Sequence, residues 1–171
     1  GDVMSMYEKG LMSGTSSNMF SPYLTTTRGM IVTILYRMEG SPAVSGASSF
    51  QDVKADAYYN NAVIWAAANG IVMGVSSTQF CPDNAITREQ FAAILFRYAQ
   101  YKGMDAVTIE ENLAAFPDGG SVSGYAVSAM NWAVGAGLLR GDASGLLMPK
   151  GEANRAQAAA MLNRFIENVL K

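Results

Sequence analysis

The chain has no histidine and a single cysteine, Cys81. Without histidine, Ser–His–Asp and Cys–His catalytic sets and ordinary zinc ligand sets are missing, and one cysteine cannot close an intrachain disulfide. A lack of disulfides fits a reducing compartment, and it also fits those exported proteins that do without them. Charge is sparse as well: 12 Lys and Arg stand against 14 Asp and Glu, for a net charge of -2. No basic run is present to neutralise a nucleic-acid backbone or to hold an anionic membrane surface, so nucleic acid is excluded as a partner class. No apolar stretch approaches the roughly 18 residues of a membrane span, which argues against membrane insertion. The opening Gly1-Asp2-Val3-Met4 does not read as a signal peptide.

What is present is a pattern used three times. Gly10, Gly14, Phe20, Pro22, Arg28 and Arg37 recur at the same offsets as Gly70, Gly74, Phe80, Pro82, Arg88 and Arg97, and again as Gly137, Gly141, Leu147, Pro149, Arg155 and Arg164. The helix-opening arginines are 60 residues apart between the first two copies (28 to 88) and 67 between the last two (88 to 155), so insertions fall between units. This is one supersecondary unit in triplicate. Residues 1–40, 50–103 and 116–171 are expected to be the repeats. Each is too small to bury enough surface alone, so the three should form one domain.

Each repeat reads as helix, glycine-rich loop, helix. Ala62 to Asn69 stops at Gly70, and Ala126 to Ala136 stops at Gly137. The loop that follows has a second glycine and a proline, and its short apolar pieces predict a minimal hairpin. The second helix has clear start signals: Thr87 with Gln90 and Asn154 with Gln157 match capping boxes, while Thr27 faces Met30 and has half of one. Its apolar stripe is Ile31, Ile34, Leu35 and Met38, then Phe91, Ile94, Leu95 and Tyr98, then Ala158, Met161, Leu162 and Phe165. The expected fold is therefore mainly α, with three second helices packed against one another in a pseudo-threefold bundle.

These residues carry a resemblance. Phe50-Gln51-Asp52-Val53, Gly70 to Gly74, Phe80-Cys81-Pro82 and Ile86-Thr87-Arg88-Glu89-Gln90-Phe91, with Phe116-Pro117-Asp118, Gly137 to Gly141 and Asn154-Arg155-Ala156-Gln157, resemble the S-layer homology (SLH) module over nearly the whole chain. The first repeat lacks the opening Phe-x-Asp, and the family's usual acid two residues after the arginine is Met30, Gln90 or Gln157 here. The resemblance implies a three-pronged, mostly helical pseudo-trimer on the outside of a Gram-positive bacterium. Such a module holds a surface protein on the wall by binding a secondary cell-wall polysaccharide, often pyruvylated, in grooves between repeats. Protein neighbours in a surface layer are further partners of this kind of module; an enzymatic role and a cofactor or metal are not expected. By motif match the glycan-binding residues are Arg28, Arg88 and Arg155; Asp52 and Asp118; Trp65 and Trp132; Gly14, Gly74 and Gly141; and Ser16 and Ser76.

Physical reasoning leaves two of these assignments open. An arginine just inside a helix start meets the positive end of the helix dipole, a penalty of roughly 0.3–1 kcal/mol, so an anion is expected nearby. That anion is either a ligand carboxylate, gripped by the guanidinium fork, or an intramolecular partner such as Asp52 or Asp118. Trp65 and Trp132, five residues before a loop glycine, either stack on a sugar or fill the core. Arg37, Arg97 and Arg164 lie nine residues further along, about two and a half turns, so they should point elsewhere, into solvated or structural ion pairs. Glu110 and Glu111 with Asp118 would need a defined carboxylate spacing to act on glycosides, and none is encoded. The competing function is a structural protein–protein module with degenerate glycan grooves.

Overall fold

The computed structural model describes residues 1–106 and 110–171, without the side chains of Glu110 and Glu111, so the carboxylate pair considered above lies outside the described residues. Among the described residues six α-helices follow in chain order: α1 (Asp2–Glu8), α2 (Arg28–Met38), α3 (Asn60–Ala68), α4 (Arg88–Tyr101), α5 (Val127–Gly135) and α6 (Arg155–Asn168). Three 3-10 turns, Glu110–Ala115, Gly119–Ser121 and Gly124–Ala126, lie before α5. Among the described residues there is no named strand. The expected loop hairpins reduce to tight turns, closed by bonds such as Val75 N–H to the Gln79 carbonyl at 2.8 Å, with one isolated bridge between Ser16 and Met19.

The helix ends follow the signals in the sequence. Thr87 and Asn154 form complete capping boxes with Gln90 and Gln157, while Thr27 accepts the Met30 amide with no return bond. Gly10, Gly70 and Gly137 take left-handed backbone after the first helix of each repeat. Such a cap contributes about 1 kcal/mol, against about 1.5–3 kcal/mol for each large apolar side chain taken out of water. Caps therefore decide where a helix begins, and the apolar stripe decides what it packs on.

That packing differs from the expected bundle. The principal partner of each second helix is the first helix of the following repeat: α2 pairs with α3, α4 with α5, and α6 with α1. The short first helices carry nearly all-apolar sequences, and burying Ala62, Val63, Trp65 and Ala66 of α3 or Ala129, Met130, Trp132 and Ala133 of α5 needs a neighbour along their length. The stripe residues Ile31, Phe91 and Leu162 are fully buried. Second helices also touch through rings, with Tyr98 and Phe165 centroids 5.7 Å apart.

The segments entering α2, α4 and α6 meet in a closed ring. The Thr26 N–H donates to the Ala153 carbonyl at 2.9 Å, the Ala153 N–H to Ile86 at 2.9 Å, and the Ile86 N–H to Thr26 at 2.8 Å. A second set runs round the ring in the opposite sense, since Arg28, Arg88 and Arg155 donate their backbone N–H to the carbonyls of Asn84, Gly151 and Leu24. A third runs from Gly29, Glu89 and Ala156 to the carbonyls of Pro82, Pro149 and Pro22. Each helix start thus satisfies orphan amides on the neighbouring repeat, which ties a repeat to the next before any side chain is counted.

Candidate functional site: three clefts between repeats

The backbone ring puts the first residue of each second helix against the loop of the neighbouring repeat, so each helix-opening arginine reaches across a boundary. Arg28 donates from Nε to the Phe80 carbonyl at 2.9 Å and from Nη2 to the Met73 carbonyl at 3.4 Å, with its guanidinium 4.7 Å from the Phe80 ring centroid. Arg155 repeats this on the first loop, donating to the carbonyls of Phe20 and Ser13 and lying 4.5 Å from the Phe20 ring centroid. Arg88 donates from Nη2 to the Arg140 carbonyl at 3.1 Å, but its Nε is buried without a partner among the described residues. Leu147 stands where the other two repeats have Phe20 and Phe80, so Arg88 lacks the aromatic face that Arg28 and Arg155 lie over. The expected ion pair with Asp52 or Asp118 does not form within 4 Å among the described residues.

Each arginine lines a cleft. The first, of about 220 Å³, brings Arg155 together with Gly14, Met30, Arg37 and Tyr58. The second, of about 340 Å³, holds Arg28, Gly74, Gln90, Arg97 and Tyr125. The third, of about 230 Å³, holds Arg88, Arg140, Gly141, Asp142, Gln157 and Arg164. Burial pushes the Arg28, Arg88 and Arg155 guanidiniums below their ordinary value, although arginine remains charged throughout the working range.

The second arginines correct one expectation. Arg97 does point away from Arg88 on the same helix, but into the neighbouring cleft beside Arg28, and Arg37 and Arg164 do the same beside Arg155 and Arg88. None of the three makes an ion pair among the described residues. Two and a half turns along one helix span the distance from one boundary to the next.

Other expected site residues are placed differently. Asp52 receives the amides of Phe80 and Cys81 at 2.9 and 2.7 Å, and Asp118 those of Leu147 and Met148 at 2.9 and 2.8 Å. Burial alone would raise these carboxyls, but the paired amide bonds outweigh it and hold both below the usual aspartate range. What they secure is strained: Cys81 and Met148, like Ser21, have φ near +50°, where a residue with a Cβ is disfavoured. Gly14, Gly74 and Gly141 allow close approach; a Cβ on Gly74 would meet the carbonyl oxygens of Ser76 and Gln79 and the Phe50 ring. Ser76 Oγ accepts the amides of Thr78 and Gln79, and Ser16 lines a separate hollow with Val3, Tyr7 and Phe20. Trp65 and Trp132 are buried within the helix pairs, Trp65 against Tyr36 and Tyr101 and Trp132 against Phe96, and neither lines the three clefts.

The aromatics that do line clefts are Tyr58 and Tyr125, which sequence reasoning missed. Both stand seven residues before the tryptophan of their repeat, a shared offset that could have found them. Tyr125 is held by the buried Glu89, whose carboxylate accepts from the Tyr125 hydroxyl at 3.4 Å, from Ser123 N–H at 3.0 Å and from Lys150 Nζ at 2.7 Å.

Residues 1–29, 49–92 and 115–159 each match the S-layer homology domain. The chain belongs to that family. Among similar proteins are a surface-layer 125 kDa protein of Lysinibacillus sphaericus, 34% identical over 98% of this chain, and an endoglucanase of a Bacillus species, 31% identical over 98%. A cellulosome-anchoring protein of Acetivibrio thermocellus is 22% identical over 91%. The chain spans 14%, 17% and 35% of those proteins respectively. No described helix of this SLH chain is long and apolar enough to cross a membrane.

Proposed function

We propose that this SLH chain is a non-catalytic, extracellular module that anchors a bacterial surface protein to the cell wall by binding wall polysaccharide in its inter-repeat clefts. The observation that carries this reading is the construction of the clefts. A guanidinium from one repeat lies over the loop and second helix of the next, and among the described residues no carboxylate lines the first or second cleft. An acidic glycan, such as one with pyruvylated sugars, supplies the missing negative charge by charge-assisted bonds to the unused guanidinium N–H groups. Tyr58 and Tyr125, both more than half exposed, offer ring faces and hydroxyls to the sugar. The names of the surface-layer and cellulosome-anchoring relatives support the same place and task. The enzyme relatives match over 17% of the endoglucanase and 8% of an amylopullulanase, in keeping with a module carried beside a catalytic part. The closed backbone ring supports treating the three repeats as one pseudo-threefold domain.

The second reading, a structural protein–protein module, is favoured by one observation: Arg28 and Arg155 tie repeats together through backbone carbonyls. Co-sedimentation with purified wall sacculi, before and after acid extraction of the non-peptidoglycan polymer, separates the two. Retention that disappears on extraction, and falls at least tenfold in a folded Arg28→Ala variant, supports glycan anchoring. Absence of retention on intact sacculi favours the interaction module.

A further inference from the structure

Each of the three clefts brings together arginines supplied by different repeats: Arg155 with Arg37, Arg28 with Arg97, and Arg88 with Arg164, the third cleft also holding Arg140. The second cleft shows the consequence most clearly. Arg28 is fixed by its carbonyl bonds and by the Phe80 ring, whereas Arg97 makes no hydrogen bond or ion pair among the described residues. Tyr125 and Gln90 are the neutral polar side chains beside them. Like charges gathered in a half-buried cleft repel one another and are poorly hydrated, and an anion entering it relieves both penalties. Burial lowers both guanidiniums; for Arg28 the charge of Arg97 acts in the same direction, while Cys81, Tyr125 and Asp52 act against it. The third cleft differs in having a carboxylate, Asp142, beside its three arginines and in having no tyrosine among its described lining residues.

We infer that Arg97 is a ligand-binding residue acting together with Arg28, and that this pair selects an occupant carrying two negative charges within one cleft-sized unit over one carrying a single charge. Arg37 beside Arg155 makes an equivalent seat in the first cleft. A phosphate monoester and two acidic substituents on neighbouring sugars share this chemistry. The identity of the natural ligand as a wall glycan rests on the anchor reading; the charge preference rests on the cleft.

The test is built to separate the two. Arginine Nε–Hε resonances of the whole chain are followed by NMR at pH 8 while inorganic phosphate, or acetate at matched ionic strength, is added. Phosphate is expected to shift the Arg28 and Arg97 signals along a common saturation curve, with acetate at least tenfold weaker. Arg97→Gln, checked for native far-UV circular dichroism, is expected to weaken phosphate binding and retention on wall sacculi by at least tenfold, with Arg97→Lys losing less. Equal response to phosphate and acetate in the unmodified chain overturns the inference without requiring any variant. So does an Arg97→Gln chain that binds phosphate and sacculi as tightly as the parent. An Arg97-dependent phosphate site in a chain that sacculi do not retain upholds the inference and removes the glycan as its natural ligand. A chain that sacculi retain independently of Arg97 does the reverse.

Discussion

A side chain reaching from one repeat to the next can serve packing, binding or both, and the aspartates and arginines divide along that line. Asp52 and Asp118 spend both carboxylate oxygens on paired backbone amides, so their first task is to hold the left-handed turns at Cys81 and Met148. Replacing Asp118 with Ala leaves two amides without their acceptor, a loss of about 1–3 kcal/mol, and the urea midpoint should fall accordingly. Relieving the turn itself should act in the opposite direction. Met148 is half exposed at φ +50°, and Met148→Gly removes a Cβ penalty of about 1–2 kcal/mol at the cost of some unfolded-chain entropy. A net gain of about 0.5–1 kcal/mol in chemical denaturation is expected; an unchanged or lower midpoint would mean the turn is not strained. The arginines differ from the aspartates in retaining free N–H groups toward a cleft, where an anion can accept from them.

Between elements, the contact that sets the second cleft is the Glu89 latch. Glu89 stands in the first turn of α4, where a negative charge is favoured, and it gathers Ser123, Tyr125 and Lys150 from the third repeat. Burial by itself would raise its carboxyl, yet the bonds from Lys150 and Ser123 with the Lys150 charge outweigh burial and lower it. A carboxyl lower in the folded chain than in the unfolded one contributes stability that is complete above the unfolded value, near 4.5, and is lost as pH falls through the lower folded value. Thermal midpoints should therefore fall below about pH 4.5, and Glu89→Gln should flatten that dependence and loosen Tyr125; an identical pH profile for the variant would exclude the latch. At this scale much was legible in the sequence. Thr87, Gln90, Asn154 and Gln157 announce their caps because capping is local, and Gly70 and Gly137 mark helix stops for the same reason. The pairing of α2 with α3 was not legible, since an apolar stripe says that a helix face is buried without naming what buries it. Arg97 was misread on similar grounds: its offset from Arg88 gives the angle between them but not the neighbour that fills it. Tyr58 and Tyr125 were passed over because a tyrosine lacks the rarity that drew attention to Trp65 and Trp132, although those indoles are needed to fill the helix pairs.

For the molecule as a whole, the cyclic backbone bonds carry a thermodynamic consequence. Thr26, Ile86 and Ala153 are each both donor and acceptor in one ring, so unfolding any repeat breaks two of its three bonds and uncovers the apolar face of a helix belonging to another repeat. In a linear array of repeats the ends can fray while the centre persists; a closed ring has no end from which fraying can start. The two tryptophans are placed to test this, because Trp65 reports on the pairing of α2 with α3 and Trp132 on the pairing of α4 with α5. In Trp65→Phe and Trp132→Phe variants, each retaining one indole, fluorescence and far-UV circular dichroism should trace one coincident urea transition within each variant, as two-state unfolding requires. The two variants should also share a similar slope against denaturant, because that slope scales with the surface exposed and the whole domain opens at once. A fluorescence transition that precedes the loss of helix in either variant would show that one helix pair opens alone. The ring would then be a set of independent contacts, and a cleft shared by two repeats could be lost without unfolding the rest.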